Sequence, residues 1–215
     1  MISKEKSLKR LTIYASYLLI FWGFYRLLFK LPDETEEIFV KPVFWLLPIF
    51  FLLRSEKERL QSLGLTVKNI FPSIYLSLGV GSLFIFEALI FNFIKHGELN
   101  FSANLGEMSI ISSLILSFAT AFTEELTFRG YIFNRLWKIL GKEVPAVVIS
   151  TALWTLIHVP IAIFVWKYPL LDTFVYLFLT TIFGIGSSII FAKTGNILSS
   201  ILLHILWEWP IILFR

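Results

Sequence analysis

Apolar runs of roughly membrane-spanning length follow one another along this chain, and no other feature restricts its fold as much. A transmembrane helix needs roughly 20 predominantly apolar residues. Runs near that length stand at about 11–29, 39–53, 70–94, 107–140, 144–166, 170–192 and 196–214. In lipid the backbone must satisfy its own polar groups, which leaves helices or closed barrels. Runs this long read as helices. The expected fold class is all-α, a polytopic transmembrane helical bundle of about seven spans. Composition agrees, at 57% hydrophobic and 17% aromatic, where soluble domains lie nearer half apolar. The 215 residues suit one integral membrane domain over 1–215 rather than two.

The second run is short and carries Pro42 and Pro48, so a kinked helix is expected. An acidic loop with Asp33, Glu34, Glu36 and Glu37 precedes it, and a basic connector with Arg54, Lys57, Arg59 and Lys68 follows. A polar loop to about Gly106 separates the third run from the fourth, which begins near Glu107. The formal net charge of +4 lies mainly between the apolar runs. It reads as membrane topology, not as nucleic-acid binding. Basic residues concentrate at the N-terminus and in the second–third and fourth–fifth connectors, which are alternate loops. The positive-inside rule then places the N-terminus in the cytoplasm and the C-terminus, Arg215, outside. The segment from Met1 to Arg10 is basic and lacks a small-residue cleavage site. It reads as the approach to a first membrane helix, not a removable signal. The absence of cysteine excludes disulfides, thiol nucleophiles and zinc-thiolate sites. The small size suits a prokaryotic plasma membrane.

Against this background the stretch Thr123-Glu124-Glu125-Leu126-Thr127-Phe128-Arg129-Gly130 is exceptional. Ionisable groups inside a span are expensive and persist only when paired or beside water. On a helix Glu125 and Arg129 are four apart and can pair. Glu124 points about 100° away from Glu125, free to face something else. The fifth run carries His158, and the seventh carries Asn196, Ser200, His204 and Glu208 at four-residue intervals, a polar stripe on one face. Scattering two imidazoles and three carboxylates separately in lipid costs several kcal/mol each. One shared wet cavity is the economical arrangement. Helical rise puts Glu124 about 21 Å above Lys138, His158 about 24 Å above Lys142 and His204 about 16 Å above Lys193. The three can meet at mid-membrane if the segment Thr123 to Leu140 continues as helix, which makes the fourth helix overlong.

Other polar residues are weaker candidates. Glu87 reads as structural, and His96 as a solvated span end beside Lys95. Ser199, Ser200 and Thr127 lack a lysine partner within the apolar spans, and Asp33 and Asp172 are loop residues rather than paired catalytic aspartates. The Gly184-x-Gly186-Ser187-Ser188 cluster suggests close helix packing, with room for a substrate chain as the alternative.

A carboxylate beside a histidine can activate water as a general base, and a second histidine can stabilise an oxyanion. Glu124, His158 and His204 fit amide-bond hydrolysis on those grounds. They also fit zinc, since two histidines and a glutamate form a known catalytic ligand set. Spacing leaves both open, and a chelator separates them.

The motifs carry a resemblance. Glu124-Glu125 with Arg129 fits a Glu-Glu-x-x-x-Arg signature, and Trp154-x-x-x-His158 an aromatic-x-x-x-His motif in which phenylalanine is usual. His204 with Glu208 looks like a His-x-x-x-Asn/Asp motif. Their order and spacing, over about 119–208, resemble the CAAX prenyl protease and bacteriocin-processing family. The resemblance implies a glutamic-type intramembrane endopeptidase acting on a membrane-associated peptide or protein, with no metal or other cofactor. It implies Glu124 as base on water, His158 as its assistant, His204 as oxyanion stabiliser, and Glu125 with Arg129 as the structural pair. Glu208 departs from the pattern. An ionised glutamate cannot donate to an oxyanion, so Glu208 is protonated, or orients His204, or this chain lacks that contact. Two other functions are compatible with these residues. One is a non-catalytic interaction or immunity protein of the same fold. The other is a proton-coupled transporter, against which stands the lack of paired halves. Membrane lipid is an expected partner, and oligomeric state is not legible.

Overall fold

The structure, a computed structural model, describes residues 3–100 and 110–214, the last five by backbone alone. The expected loop end near Gly106, the start near Glu107 and Arg215 lie outside the described residues. Among the described residues seven long helices follow in order: α1 (Lys4–Leu28), α2 (Asp33–Glu56), α3 (Ile70–His96), α4 (Ile110–Leu140), α5 (Glu143–Val165), α6 (Leu170–Thr194) and α7 (Ile197–Phe214). The first six are long and apolar enough to cross a membrane, while α7 contributes a shorter apolar stretch, Ile197–Trp209. α7 continues past that stretch to Phe214 and packs against α3, α4 and α6. The protein is an all-helical integral membrane bundle.

Most run boundaries agree with the sequence reading to within a few residues. The main correction concerns α2. It starts at Asp33 rather than near Phe39, so Glu36 and Glu37 lie in the helix and not in an acidic loop. Ion pairing explains the difference. Arg26 of α1 pairs with Glu36 and reaches Glu37 at 3.6 Å, which neutralises charges that hydropathy alone would leave in water. Pro42 follows the segment Glu36–Val40 and Pro48 lies further along, so α2 lacks two N–H groups of its helical ladder.

α4 runs unbroken through the acidic pair to Leu140, as the depth comparison required. At 31 residues it is about 46 Å long. Half of its most apolar window is buried, a larger share than in any of the other five long apolar helices, which marks it as the central helix. α7 and α2 lie beside it, and α1 and α5 pack along its second half.

The α2–α3 connector is a docked element rather than a plain basic linker. Its short 3₁₀ turn, Leu60–Leu63, sits against Gly130 of α4, where an added Cβ would lie 2.9 Å from the Leu63 carbonyl oxygen. Gly64 then adopts φ +84° and accepts a hydrogen bond from the Ile197 N–H at 2.9 Å. Asn196 donates to the carbonyls of Thr66 and Lys68 at 2.9 and 2.7 Å, and Asn69 to that of Thr194 at 2.8 Å. The α2–α3 and α6–α7 turns therefore share one end of the bundle, as alternate loops should. Ser200 donates to the Ser187 carbonyl, so the first half of the polar stripe on α7 serves packing.

Glu56, at the end of α2, receives the Tyr131 hydroxyl and the Arg135 Nε, each at 2.9 Å, in a buried setting. Removing one member of a buried pair strands the other charge. Glu56→Ala should lower stability by about 3–5 kcal/mol, measured by unfolding in detergent micelles, with Glu56→Gln losing less.

Candidate active site

The polar groups of the bundle gather around the middle of α4, next to three i→i+5 (π) turns. These are Glu36–Val40 before Lys41, Leu126–Phe133 after the acidic pair, and Ile161–Val165 just after His158 and Pro160. Such turns are rare and collect at functional sites. Pro160 lacks an N–H and so removes one helical bond at the third of them.

Glu125 is fully enclosed by donors. Arg129 Nη1 reaches Oε1 at 2.9 Å, His204 Nδ1 reaches the same oxygen at 2.8 Å, and Ser187 Oγ donates to Oε2 at 2.7 Å. Arg129 Nη2 also donates to the Gly184 carbonyl at 3.1 Å. The four-residue pairing expected from the sequence is therefore present, within a larger network tying α4 to α6 and α7.

Glu124 differs. Its Oε1 accepts a hydrogen bond from Lys41 Nζ at 2.7 Å, and its Oε2 faces His158 Nε2 at 3.9 Å. So Glu124 is not left free, as its direction on the helix suggested, but has one engaged oxygen and one open one. His158 Nδ1 lies 2.7 Å from the Trp154 carbonyl, which can only accept, so this nitrogen carries the proton. In the neutral ring Nε2 is then an acceptor, turned toward Glu124. His204 bonds to Glu125 rather than Glu124, though both histidines interact electrostatically with Glu124.

Trp154 fixes the two rings relative to each other. Its centroid lies 4.4 Å from that of His158 and 5.6 Å from that of His204, and the Arg129 guanidinium sits 4.5 Å from it. Its Nε1 donates to the Thr180 carbonyl at 3.2 Å, a bond that phenylalanine at this position could not make. Gly184 makes room for the indole, since an added Cβ would lie 2.9 Å from Trp154 Cδ1. The glycine cluster in α6 therefore serves close packing here.

Glu208 lies a turn beyond His204, and its Oε2 is buried with no hydrogen-bond partner among the described residues. His204 Nδ1 is held by Glu125, which leaves only its Nε2 to meet Glu208. Glu87 is half-buried, whereas His96, Asp33 and Asp172 are exposed. Ser199 and Ser200 are engaged by backbone carbonyls, and Thr127 Oγ1 is buried. Among the described residues no three His, Asp or Glu side chains are grouped to hold a metal ion.

Sequence reasoning missed Lys41, Glu37 and Thr120. Lys41 also pairs with Glu37, and Thr120 donates to Glu37 Oε2 at 2.9 Å. The depth measure applied to α4, α5 and α7 could have found the lysine. Lys41 stands about 24 Å from Lys57 along α2, level with Glu124.

With this geometry in place, a family model described as "Type II CAAX prenyl endopeptidase Rce1-like" matches residues 106–210. No curated protein and no solved structure matches the chain. The matched stretch contains the Glu-Glu-x-x-x-Arg, aromatic-x-x-x-His and His204 motifs in order, and over it the chain is similar to the CAAX prenyl protease and bacteriocin-processing family of membrane proteases.

Proposed function

We propose that this chain is a glutamic-type intramembrane endopeptidase that hydrolyses a peptide bond of a membrane-associated peptide or protein. The observation that carries the reading is the pairing of the open Glu124 Oε2 with His158 Nε2 at 3.9 Å. Two acceptors at that separation can share one water, each at about 2.8 Å. Glu124 removes a proton from that water as the oxygen attacks the carbonyl carbon. His158 holds the water's second hydrogen, and the Trp154 carbonyl keeps its Nε2 in the acceptor form.

The tetrahedral oxyanion needs a donor. His204 offers Nε2–H when its ring is an imidazolium, because Nδ1–H is given to Glu125. The Glu125 carboxylate supports that charge. The C–N bond then breaks, the proton on Glu124 passes to the leaving amine, and the water oxygen stays in the new carboxylate. Glu208 takes part as a neutral carboxylic acid, which donates to the oxyanion where the family supplies an amide or aspartate. In this reading the N-terminus lies in the cytoplasm, supported by the alternate basic loops, and no metal takes part.

Glu124→Gln should reduce turnover by about 10²-fold or more while leaving assembly intact. The measurement uses full-length protein in lipid nanodiscs with a quenched, prenylated peptide ending in Cys-aliphatic-aliphatic-X, and with membrane peptides that accumulate in cells carrying Glu124→Gln. Undiminished cleavage by that variant rules out this base. Unchanged biological activity without any cleavage favours the interaction or immunity protein, and substrate uptake into proteoliposomes favours the transporter.

Glu208→Gln keeps a neutral donor and should retain most activity, whereas Glu208→Leu should lose it. Equal loss in both would remove Glu208 from oxyanion stabilisation. A chelator such as phenanthroline should leave turnover unchanged; inhibition reversed by added zinc would restore the metal reading.

A further inference from the structure

The geometry points to Lys41 as a positioning residue for Glu124: its ammonium fastens one carboxylate oxygen, so that the other alone meets His158 and the attacking water. The inference rests on the reading of Glu124 as general base. Lys41 lies on α2, outside the matched residues 106–210, so the N-terminal helices would complete the active site.

Lys41 is 3% exposed, and its Nζ sits 2.7 Å from Glu124 Oε1. The faces of Trp22 and Trp45 lie 5.9 and 5.4 Å from the ammonium and enclose it. On its other side it bonds Glu37, which is itself held by Thr120 at 2.9 Å and Arg26 at 3.6 Å. The lysine is thus fixed from three directions and cannot swing out to water.

Glu124 depends on it. Arg129, the nearest arginine along α4, is committed to Glu125 and the Gly184 carbonyl. Among the described residues Lys41 is the only Lys or Arg whose nitrogen lies within 4.0 Å of Glu124. Without that charge a buried carboxylate takes up a proton instead of remaining ionised, and a protonated carboxyl is no base. Glu37, with Thr120 and Arg26 still in place, would keep its own partners.

The test compares Lys41→Met, Lys41→Gln and Lys41→Arg in full-length protein in nanodiscs, using the prenylated reporter peptide and infrared difference spectroscopy. Both neutral variants should lose at least about tenfold in kcat with KM little changed, and Lys41→Arg should retain more than either. Lys41→Met should also gain the C=O band of a neutral carboxylic acid, and Glu124→Gln in the same background should abolish it. Should Lys41→Met fail to fold, Lys41→Gln, which retains a polar head, gives the same comparison.

Wild-type kcat in a neutral variant, with Glu124→Gln inactive, overturns the Lys41 inference and spares the base. Full activity of Glu124→Gln removes the base reading and this inference with it. If the reporter is not cleaved, the infrared band decides alone, and its absence overturns the inference.

Discussion

An ionised group moved from water into a protein interior costs several kcal/mol even after relaxation, and α4 carries Glu124, Glu125, Arg129 and Arg135 into the bundle. Each must meet an opposite charge or a set of fixed donors, and α4 alone supplies only the Glu125–Arg129 pair. The remaining partners dictate which helices surround it. Lys41 and Glu56 come from the two halves of α2, His204 from α7, and Ser187 and the Gly184 carbonyl from α6. Apolar packing between helices in lipid says little about which neighbour goes where, because lipid tails are as apolar as the side chains. Here charge satisfaction supplies the missing specificity.

The backbone is adapted to the same end. The three π turns touch the cluster at Lys41, at the Glu125–Arg129 pair and just beyond His158. An i→i+5 turn changes the angular spacing of side chains by a fraction of a turn, which redirects the residues beside it. Glu125 and Arg129 still meet at 2.9 Å across the start of the longest of these turns. The opposite loss, a missing N–H at Pro160, falls in α5 next to the turn that follows His158.

Much of this was legible from residue order. The spans follow from run length, the Glu125–Arg129 pair from four-residue spacing, and the common depth of the polar groups from helical rise. The first half of α2 was not, because Glu36 and Glu37 raise its apparent polarity and their pairing with Arg26 of α1 depends on tertiary contact. Lys41 escaped for the same reason: its partner Glu124 lies 83 positions away, and nothing in the run 39–53 marks its ammonium as sunk about 24 Å from Lys57. The division between Glu124 and Glu125 was seen in outline only. Direction on a helix separates the two acids, but it cannot say that His204, 79 positions from Glu125, joins the structural one. The docked connector depends on similarly remote partners, with Asn196 bonding carbonyls 128 and 130 positions away.

The tryptophan at 154 shows how one departure from a family pattern is absorbed. An indole is larger than a phenyl ring and carries an N–H that must be satisfied when buried. The Thr180 carbonyl satisfies it, and that carbonyl lies one helical turn before Gly184 on α6. The missing Cβ at Gly184 is in turn what lets Cδ1 of the same ring approach. A larger residue at 184 would push the indole toward the two imidazoles and the Arg129 guanidinium it already touches. Trp154 and Gly184 are therefore matched to each other. The spacing between His158 and His204 depends on that match, since the same ring lies against both.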